Sequence, residues 1–226
     1  MTVINAPSLA NCSYLDMERQ TAQLVEGGCD WFHIDIMDGH YVPNLCFPIK
    51  FIRELKDRYP SVETDVHLMV TNPMDYLEAL KENGADWVSF HLDATSFSRR
   101  AIDQIHGLGM KAGVVLNPCQ PVETVEPVAE FVDYVVLMTV EPGYAGQKFM
   151  RDSLGRLSRL VKLRAAQKNR FLISIDGGVD KPGAAECARL GAEIYVTGIY
   201  TVFNQPEGIV QACRNFKKLI CDPEIQ

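Results

Sequence analysis

Two histidines and two aspartates stand at positions from which they could share one site. His33 and Asp35 alternate with apolar residues in the segment DWFHIDIM. This period of two indicates a β-strand with both polar side chains on one face. His67 lies in a similar segment, VETDVHLMV, and Asp176 ends the segment RFLISID. Burying such polar groups is costly unless they form hydrogen bonds with each other or bind a ligand.

These side chains together suit a divalent metal ion. Two imidazole nitrogens and two carboxylate oxygens are ligands that Zn²⁺, Fe²⁺, Mn²⁺ or Co²⁺ accepts, with positions left for substrate oxygens. Each residue alone is weak evidence, because a single histidine in a strand is more often a hydrogen-bonded core residue. Four such residues at strand ends favour one metal site over four separate structural roles.

The elements that must position these residues alternate along the chain. Eight apolar segments predict strands over 3–9, 30–37, 62–70, 86–92, 110–116, 133–140, 170–176 and 192–198. Helical patterns between them cover 14–28, 72–84, 96–109, 153–168, 181–191 and 205–219. The 226 residues leave about 28 for each strand and its following segment. This alternation predicts an α/β fold, a (β/α)₈ TIM barrel, whose chemistry collects at the carboxyl ends of the strands.

A weak internal repeat supports the barrel. EGGCDWFHID, ENGADWVSFHLD and RLGAEIYVTG each place a glycine, a small residue and an acidic residue before a strand. We expect Gly28, Gly84 and Gly191 to end helices in the left-handed conformation, which only glycine adopts without steric cost. No linker or low-complexity stretch divides the sequence, so residues 1–226 are predicted to form a single domain.

Composition excludes several classes of partner. Hydrophobic residues make up 47% and charged residues 23% of the chain, as in a globular domain with a large core. The net charge of −7 leaves no broad basic surface, so neither nucleic acid nor a membrane is expected as a partner. No apolar run reaches the ~18–20 residues that span a bilayer. The start MTVINAPSLANCS also lacks the features of a signal peptide.

The cysteines indicate a reducing compartment. Their number is odd and no pair has C-x-x-C spacing, which favours reduced thiols in a cytoplasmic protein. Burial as small hydrophobic side chains is favoured over a nucleophilic role. The seven residues are Cys12, Cys29, Cys46, Cys119, Cys187, Cys213 and Cys221.

Glycines follow the last three predicted strands, in EPGYAGQ, DGGV and TG. Loops after strands seven and eight of this fold commonly bind phosphate through backbone N–H groups, and glycine lets the backbone approach an anion. Tight turns would explain any one of these loops. Three neighbouring loops favour a phosphate site, by which an acidic protein could hold an anion without a basic cluster.

Methionines occur near the ends of three predicted strands, at Met37, Met69 and Met138. Filling irregular gaps is the usual role of methionine. An apolar cap over a reactive intermediate is the alternative, and the pattern leaves both open.

Taken in order, six motifs resemble those of the ribulose-phosphate 3-epimerase family. They are PSL (7–9), HIDIMDGHYVPN (33–44), DVHLMV (65–70), GVVLNP (113–118), MTVEPGYAGQKF (138–149) and IDGG (175–178). The resemblance covers almost the whole chain. It implies a (β/α)₈ barrel, one divalent metal ion, inversion at C3 of a ketose phosphate, and a homodimer or higher homo-oligomer.

The resemblance also implies roles for individual residues. The metal ligands would be His33, Asp35, His67 and Asp176. Asp35 and Asp176 would also be the catalytic acid/base residues, one on each face of a planar enediolate. Residues at the substrate or its phosphate would be Ser8, His67, Gly143, Gly146, Gly177, Gly178, Gly198 and Ile199. The cap over the enediolate would be formed by Met37, Met69 and Met138.

Two features bear on the choice of substrate. The family usually has Ser or Thr after the strand-eight glycine, whereas Ile199 and Tyr200 follow Gly198 here. Ile199 supplies no hydroxyl for a phosphate, and Tyr200 would either supply one or narrow the pocket. PSLANCS, HLMVTNPMDYL and VFN resemble the branch that interconverts D-allulose 6-phosphate and D-fructose 6-phosphate. The alternative pair is D-ribulose 5-phosphate and D-xylulose 5-phosphate.

Other functions fit the residues less well. Phosphosugar decarboxylases and aldol-type synthases of similar fold carry D-x-K-x-x-D, which this sequence lacks. A metal-dependent hydrolase is expected to show H-x-H on one strand, and here the motif is H-x-D. A catalytically silent sugar-phosphate-binding barrel is the remaining alternative. It has no need of a second base, so the pair Asp35 and Asp176 argues against it.

Overall fold

Eight parallel strands form a single sheet in the computed structural model, which describes residues 3–222. Their order in the sheet is β1-β8-β7-β6-β5-β4-β3-β2. The strands are β1 (Ile4–Pro7), β2 (Trp31–Met37), β3 (Glu63–Met69), β4 (Trp87–His91), β5 (Lys111–Leu116), β6 (Tyr134–Met138), β7 (Leu172–Asp176) and β8 (Ile194–Thr197). Each lies within its predicted segment, and the predicted (β/α)₈ barrel is confirmed.

Helices pack around the outside of this sheet. They are α1 (Met17–Glu26), α2 (Lys50–Arg58), α3 (Leu77–Glu82), α4 (Ser98–Gly107), α5 (Ser153–Ala165), α6 (Lys181–Leu190) and α7 (Gly208–Cys221). The helix α2 was not predicted, because its buried stripe consists of Ile52 and Leu55 alone. A 3₁₀ segment, Val122–Val128, stands between β5 and β6 where the other units have an α-helix, and it contains Pro127.

The predicted helix-ending glycines have the expected backbone. The φ angles of Gly28, Gly84 and Gly191 are +79°, +92° and +105°. Glycine therefore ends three helices at equivalent places, immediately before β2, β4 and β8.

The barrel closes between its first and last strands in the sheet order, β1 and β2. Ser8 and His33 form an isolated parallel bridge. The backbone N–H of Asp30 also donates to Asn5 O at 3.0 Å, and its carboxylate accepts from Asn5 N at 2.8 Å. Because the barrel is closed, the carboxyl ends of β2 and β7 face the same centre, and Asp35 lies close to Asp176.

Side chains of the strands alternate between two cores. One set packs under the helices, as Phe32, Ile34 and Ile36 of β2 do. The other set fills the barrel interior, which is therefore a packed core and no channel. Its buried apolar members are Ile4, Ala6, Trp31, Val115, Tyr134, Val136, Met138, Val140 and Ile194.

Candidate active site

His33, Asp35, His67 and Asp176 meet at the carboxyl end of the barrel. One potential ligand atom from each lies within 4.8 Å of the others. His33 Nε2 is 3.5 Å from Asp35 Oδ1 and 3.6 Å from Asp176 Oδ2. His67 Nδ1 is 3.5 Å and 3.2 Å from the same two oxygens. Each imidazole nitrogen therefore faces both carboxylates, as the sequence predicts for a shared site.

The residues fit a divalent metal ion. His33 Nε2 and His67 Nδ1 are buried, and neither has a hydrogen-bond partner within residues 3–222. Buried polar atoms without a hydrogen-bond partner are rare, so these two nitrogens are expected to bind a further group. Ligand atoms about 2.1 Å from one ion are roughly 3.0–3.4 Å apart, close to the distances observed here. The four side chains therefore form a candidate metal-binding group.

The charges of the group favour a cation. Burial by itself would lower the pKa of His33, but the carboxylates of Asp35 and Asp65 raise it well above its ordinary value. Burial would raise the pKa of Asp35, whereas His33 and His67 lower it far below its ordinary value. Positive charge between these groups is thus stabilised, and a metal ion would take the place of the imidazole protons.

A buried carboxylate orients His33 from behind. His33 Nδ1 is 2.8 Å from Asp65 Oδ2, and the hydroxyl of Tyr134 donates to Asp65 Oδ1 at 2.6 Å. All three side chains are fully buried. An imidazole that gives its Nδ1–H to a carboxylate keeps Nε2 unprotonated, which is the tautomer a metal ligand needs.

His67 has a different neighbour behind it. Its Nε2 is 2.8 Å from His91 Nε2, and the two rings stack with centroids 5.0 Å apart. The ring of Tyr41 also contacts that of His91, with the ring centroids 4.6 Å apart. Burial, followed by the charge on His67, holds the pKa of His91 well below its ordinary value.

Ser8 contacts Asp35 directly. Its hydroxyl donates to Asp35 Oδ2 at 2.7 Å, which leaves Asp35 Oδ1 facing the two imidazoles. Asp176 is fixed through its backbone, because Thr139 donates to Asp176 O from its N–H at 2.7 Å and from its hydroxyl at 2.9 Å. Ser8 therefore orients the carboxylate of Asp35, whereas the bonds from Thr139 fix only the backbone of Asp176.

A pocket opens in front of the four side chains. Asp35, His67 and Asp176 line it, whereas His33 is fully buried beneath it. The structure brings the other predicted site residues to the same wall, and these are Ser8, Met37, Met69, Met138, Gly143, Gly146, Gly177, Gly178, Gly198 and Ile199.

Glycine is required at one point where two of the pocket loops meet. Gly178 has φ +62°, and a Cβ placed there would lie 2.5 Å from Gln147 O and 2.6 Å from Phe149 N. The loop after β7 therefore rests directly on the backbone of the loop after β6. No backbone hydrogen bond within residues 3–222 uses the N–H of Gly177, Gly178 or Gly198, and all three glycines line the pocket.

The hydroxyl of Tyr200 joins two loops. It donates to Gly146 O at 2.8 Å, across the mouth of the pocket. Of the two roles considered for Tyr200, narrowing the pocket therefore agrees with the structure. The residue lies in a π-helical turn, Ile199–Phe203, where Gly198 O accepts from Val202 N at 2.9 Å and Phe203 N at 3.2 Å. Such turns contain one extra residue and often occur at functional sites.

Comparison with known proteins identifies the family. The model of the ribulose-phosphate 3-epimerase family matches residues 4–203. The chain belongs to this family. A ribulose-phosphate 3-epimerase from Bacillus subtilis (strain 168) is 39% identical over 198 residues, covering 85% of this chain and 89% of its own. One from Treponema pallidum (strain Nichols) is 38% identical over 193 residues, 85% of this chain and 88% of its own. The predicted enzyme class, a carbohydrate epimerase, is confirmed.

Structural likeness extends beyond the epimerase family. KGPDC from Streptococcus mutans superposes with a TM-score of 0.74 at 13% identity, covering 98% of both chains. At this identity the likeness supports the barrel alone. Among residues 3–222, no helix is long and apolar enough to cross a membrane.

Asp65, His91 and Tyr134 contact the site but were not predicted. Asp65 lies two residues before His67 in DVHLMV and thus on the same strand face, which was a usable signal. His91 ends β4 in the same way that His67 approaches the end of β3. Tyr134 begins β6, outside the motif MTVEPGYAGQKF that starts at the end of this strand, and the sequence gives no sign of its contact with Asp65.

Proposed function

We propose that this protein is a metal-dependent ketose-phosphate 3-epimerase that inverts C3 through a cis-enediolate. The observation that carries this proposal is the placement of Asp35 and Asp176 on β2 and β7. Both carboxylates face the same two unpaired imidazole nitrogens and line the same pocket. A binding protein would need no such second carboxylate.

A divalent ion held by His33, Asp35, His67 and Asp176 would act as a Lewis acid that offsets negative charge developing on the substrate. Zn²⁺, Fe²⁺, Mn²⁺ and Co²⁺ all accept two nitrogen and two oxygen ligands, so the residues do not select among them. The protein contributes the fixed orientation of these ligands. Asp65 behind His33 and Ser8 beside Asp35 keep these two ligands aimed at the shared centre.

Inversion requires one acid/base group on each face of the planar enediolate. One carboxylate removes the C3 proton, and the carboxylic acid on the other side returns a proton to C3 from the opposite face. One of the pair must therefore be ionised while the other is protonated.

Met37, Met69 and Met138 suit the role of an apolar cap over the enediolate. All three line the pocket, and a thioether has no proton to give to a carbanion. An O–H or N–H group at these positions could protonate the intermediate from the wrong side. We assign the methionines to this cap in preference to gap-filling alone.

The phosphate group is proposed to bind at the loops after β6, β7 and β8. The N–H groups of Gly177, Gly178 and Gly198, which make no backbone hydrogen bond within residues 3–222, support this, since backbone donors bind anions without any basic side chain. Gly143, Gly146 and Ile199 line the same region. The hydroxyl of Tyr200 is engaged with Gly146, so recognition is assigned to the backbone.

The substrate pair is tested by turnover of two ketose phosphates in parallel. Ribulose 5-phosphate and allulose 6-phosphate would each be followed by proton NMR with metal-loaded protein. Faster turnover of allulose 6-phosphate assigns the D-allulose 6-phosphate/D-fructose 6-phosphate pair, and faster turnover of ribulose 5-phosphate assigns the pentulose pair. Binding of both without turnover would favour the silent sugar-phosphate-binding barrel and refute the epimerase.

We further propose that a homodimer or higher homo-oligomer is the working form. Side chains of Tyr14, Leu15 and Leu45 are 64%, 101% and 72% exposed on loops at the pocket end of the barrel, and exposed apolar surface of this kind often marks an interface. Light scattering of Leu15→Glu should give a smaller particle than wild type if a second copy covers this surface.

A single domain over residues 1–226 and a cytoplasmic location stay predictions.

A further inference from the structure

The two proposed histidine ligands are supported from behind by different chemical groups. His33 faces the carboxylate of Asp65, but His67 faces the imidazole of His91. A carboxylate can only accept a hydrogen bond, whereas an imidazole can donate or accept. The direction of the bond between His67 and His91 therefore has to be settled by the groups around it.

The surroundings of His67 fix its own part of this bond. Its Nδ1 is the unpartnered atom that faces Asp35 and Asp176, so Nδ1 is the position that binds a metal ion. A ring bound through Nδ1 carries its hydrogen on Nε2. His67 must then donate from Nε2, and His91 must accept at Nε2 across the 2.8 Å separation.

Asn117 explains why His91 can accept. His91 Nδ1 is buried without a hydrogen-bond partner within the described residues, and so is Asn117 Oδ1. Asn117 Nδ2 donates to the hydroxyl oxygen of Tyr41 at 2.7 Å and to Asp93 Oδ2 at 3.1 Å. These two bonds fix the orientation of the amide. Asn117 also lies near enough to His91 to act on its pKa, in the upward direction expected of an amide oxygen that accepts from the ring. We therefore place the hydrogen of His91 on Nδ1, which leaves Nε2 unprotonated.

We propose that His91 is a positioning residue that holds His67 in the tautomer and orientation needed to bind the metal ion. This inference rests on the proposed metal site. His91 acts through His67 and is too deeply buried to meet the substrate, since it has no exposed surface and does not line the pocket. Loss of the acceptor would leave a buried N–H unpaired and let His67 turn its Nδ1 away from the carboxylates.

Two substitutions distinguish the role of His91 as a hydrogen-bond acceptor from its role as a packed ring. His91→Phe keeps a flat ring between His67 and Tyr41 but has no acceptor, and His91→Gln loses the ring but retains a carbonyl oxygen at similar reach. Zn²⁺ affinity of each protein would be measured by competition with a chromophoric chelator. His91→Phe should bind Zn²⁺ about 10–100-fold more weakly, and His91→Gln should stay within a few-fold of wild type.

A matched control and the unfolding midpoint guard against a general loss of structure. His106→Phe changes a half-exposed histidine bound to Asp133 and should leave Zn²⁺ affinity unchanged. Thermal unfolding of each metal-free variant shows whether the barrel is intact. If His91→Gln loses as much affinity as His91→Phe, ring packing is what matters and the acceptor role is refuted.

The hydrogen position can also be observed directly. In the Zn²⁺-loaded wild type, nitrogen-15 NMR of the imidazoles should show hydrogen on His67 Nε2 and on His91 Nδ1. Hydrogen on His91 Nε2 would overturn the inference while leaving the metal site in place. If wild type binds no Zn²⁺ at all, the proposed metal site fails together with the inference. Epimerase activity does not enter either measurement.

Discussion

The hydroxyl of Tyr134 on β6 reaches Asp65 on β3 across the barrel interior, at 2.6 Å. The tyrosine ring lies over residue 113 of β5, which is glycine. A Cβ at Gly113 would stand 2.3 Å from the Tyr134 ring. Because Asp65 in turn orients His33, a glycine on one strand determines how a proposed metal ligand on another strand is held.

The first prediction concerns this contact. Gly113→Ala should lower the free energy of unfolding by about 1–3 kcal/mol, because the buried Tyr134 ring has to move. Gly155→Ala is the matched control, since nothing lies within 4 Å of a Cβ at that helical position. The control should gain about 0.5–1 kcal/mol. Urea denaturation measures both, and a Gly113→Ala protein as stable as wild type would refute the contact.

Asp65→Asn should weaken metal binding by about 10–100-fold. The substitution keeps the shape of the side chain but removes the charge that draws the hydrogen of His33 to Nδ1. Tyr134→Phe should have a smaller effect, because the carboxylate stays and loses one hydrogen bond. Titration with Zn²⁺ against a chelator would give both constants. Equal losses, or no loss in Asp65→Asn, would remove Asp65 from the account.

Replacement of either proposed acid/base residue should abolish most turnover. With saturating metal ion, Asp35→Asn and Asp176→Asn should each lower kcat by at least about 10²–10⁴-fold, the usual contribution of a general acid or base. Ser8→Ala removes one hydrogen bond to Asp35 and should cost about 2–10-fold. Steady-state kinetics with measured metal content distinguishes these cases. Near-normal kcat in either asparagine variant contradicts the two-base mechanism.

The bond from Tyr200 to Gly146 should affect substrate binding more than chemistry. Tyr200→Phe frees the loop after β6 from the turn after β8. One such bond contributes about 0.5–1.5 kcal/mol, so KM should rise about 2–10-fold while kcat changes little. Tyr144→Phe is the comparison, because the Tyr144 hydroxyl ties the same loop to Pro43 O on the other side. A fall in kcat with unchanged KM would point to a role for Tyr200 in catalysis.

The loops after β2 and β3 should loosen in acid. Burial would raise the pKa of Asp38, but N–H groups of Thr71, Tyr41 and His40 lower it from 3.8 to about 2. A lowered folded-state pKa gives stability that is present above 3.8 and is lost as pH falls towards 2. The gain of wild type over Asp38→Asn in unfolding temperature should therefore shrink across that window. A difference that stays constant with pH would show that the charge on Asp38 is irrelevant.

Much of the fold and of the metal group could be predicted because both depend on local patterns. Short apolar segments located every strand, and helix-ending glycines marked equivalent points in three units. His33, Asp35, His67 and Asp176 were predictable since the carboxyl ends of barrel strands converge on one point. Two histidines and two aspartates are then a ligand set that suits a divalent metal ion.

Contacts between side chains on different strands could not be predicted. Tyr134 and Asp65 are 69 residues apart, and His67 and His91 are 24 apart. Which side chains meet inside the barrel depends on strand register and on the volume left by residues such as Gly113. The bond of Tyr200 likewise joins residues 54 apart, and no local signal distinguishes it from a hydroxyl that faces the substrate.

The central claim is inversion at C3 by proton exchange, and proton NMR in D₂O tests it most directly. With metal-loaded wild type, the C3–H signal of the ketose phosphate should disappear as the epimer forms, and the epimer should carry deuterium at C3. Asp35→Asn and Asp176→Asn should form no epimer. An epimer that keeps its original hydrogen at C3 would contradict the account, because no proton would then have passed through either carboxylate.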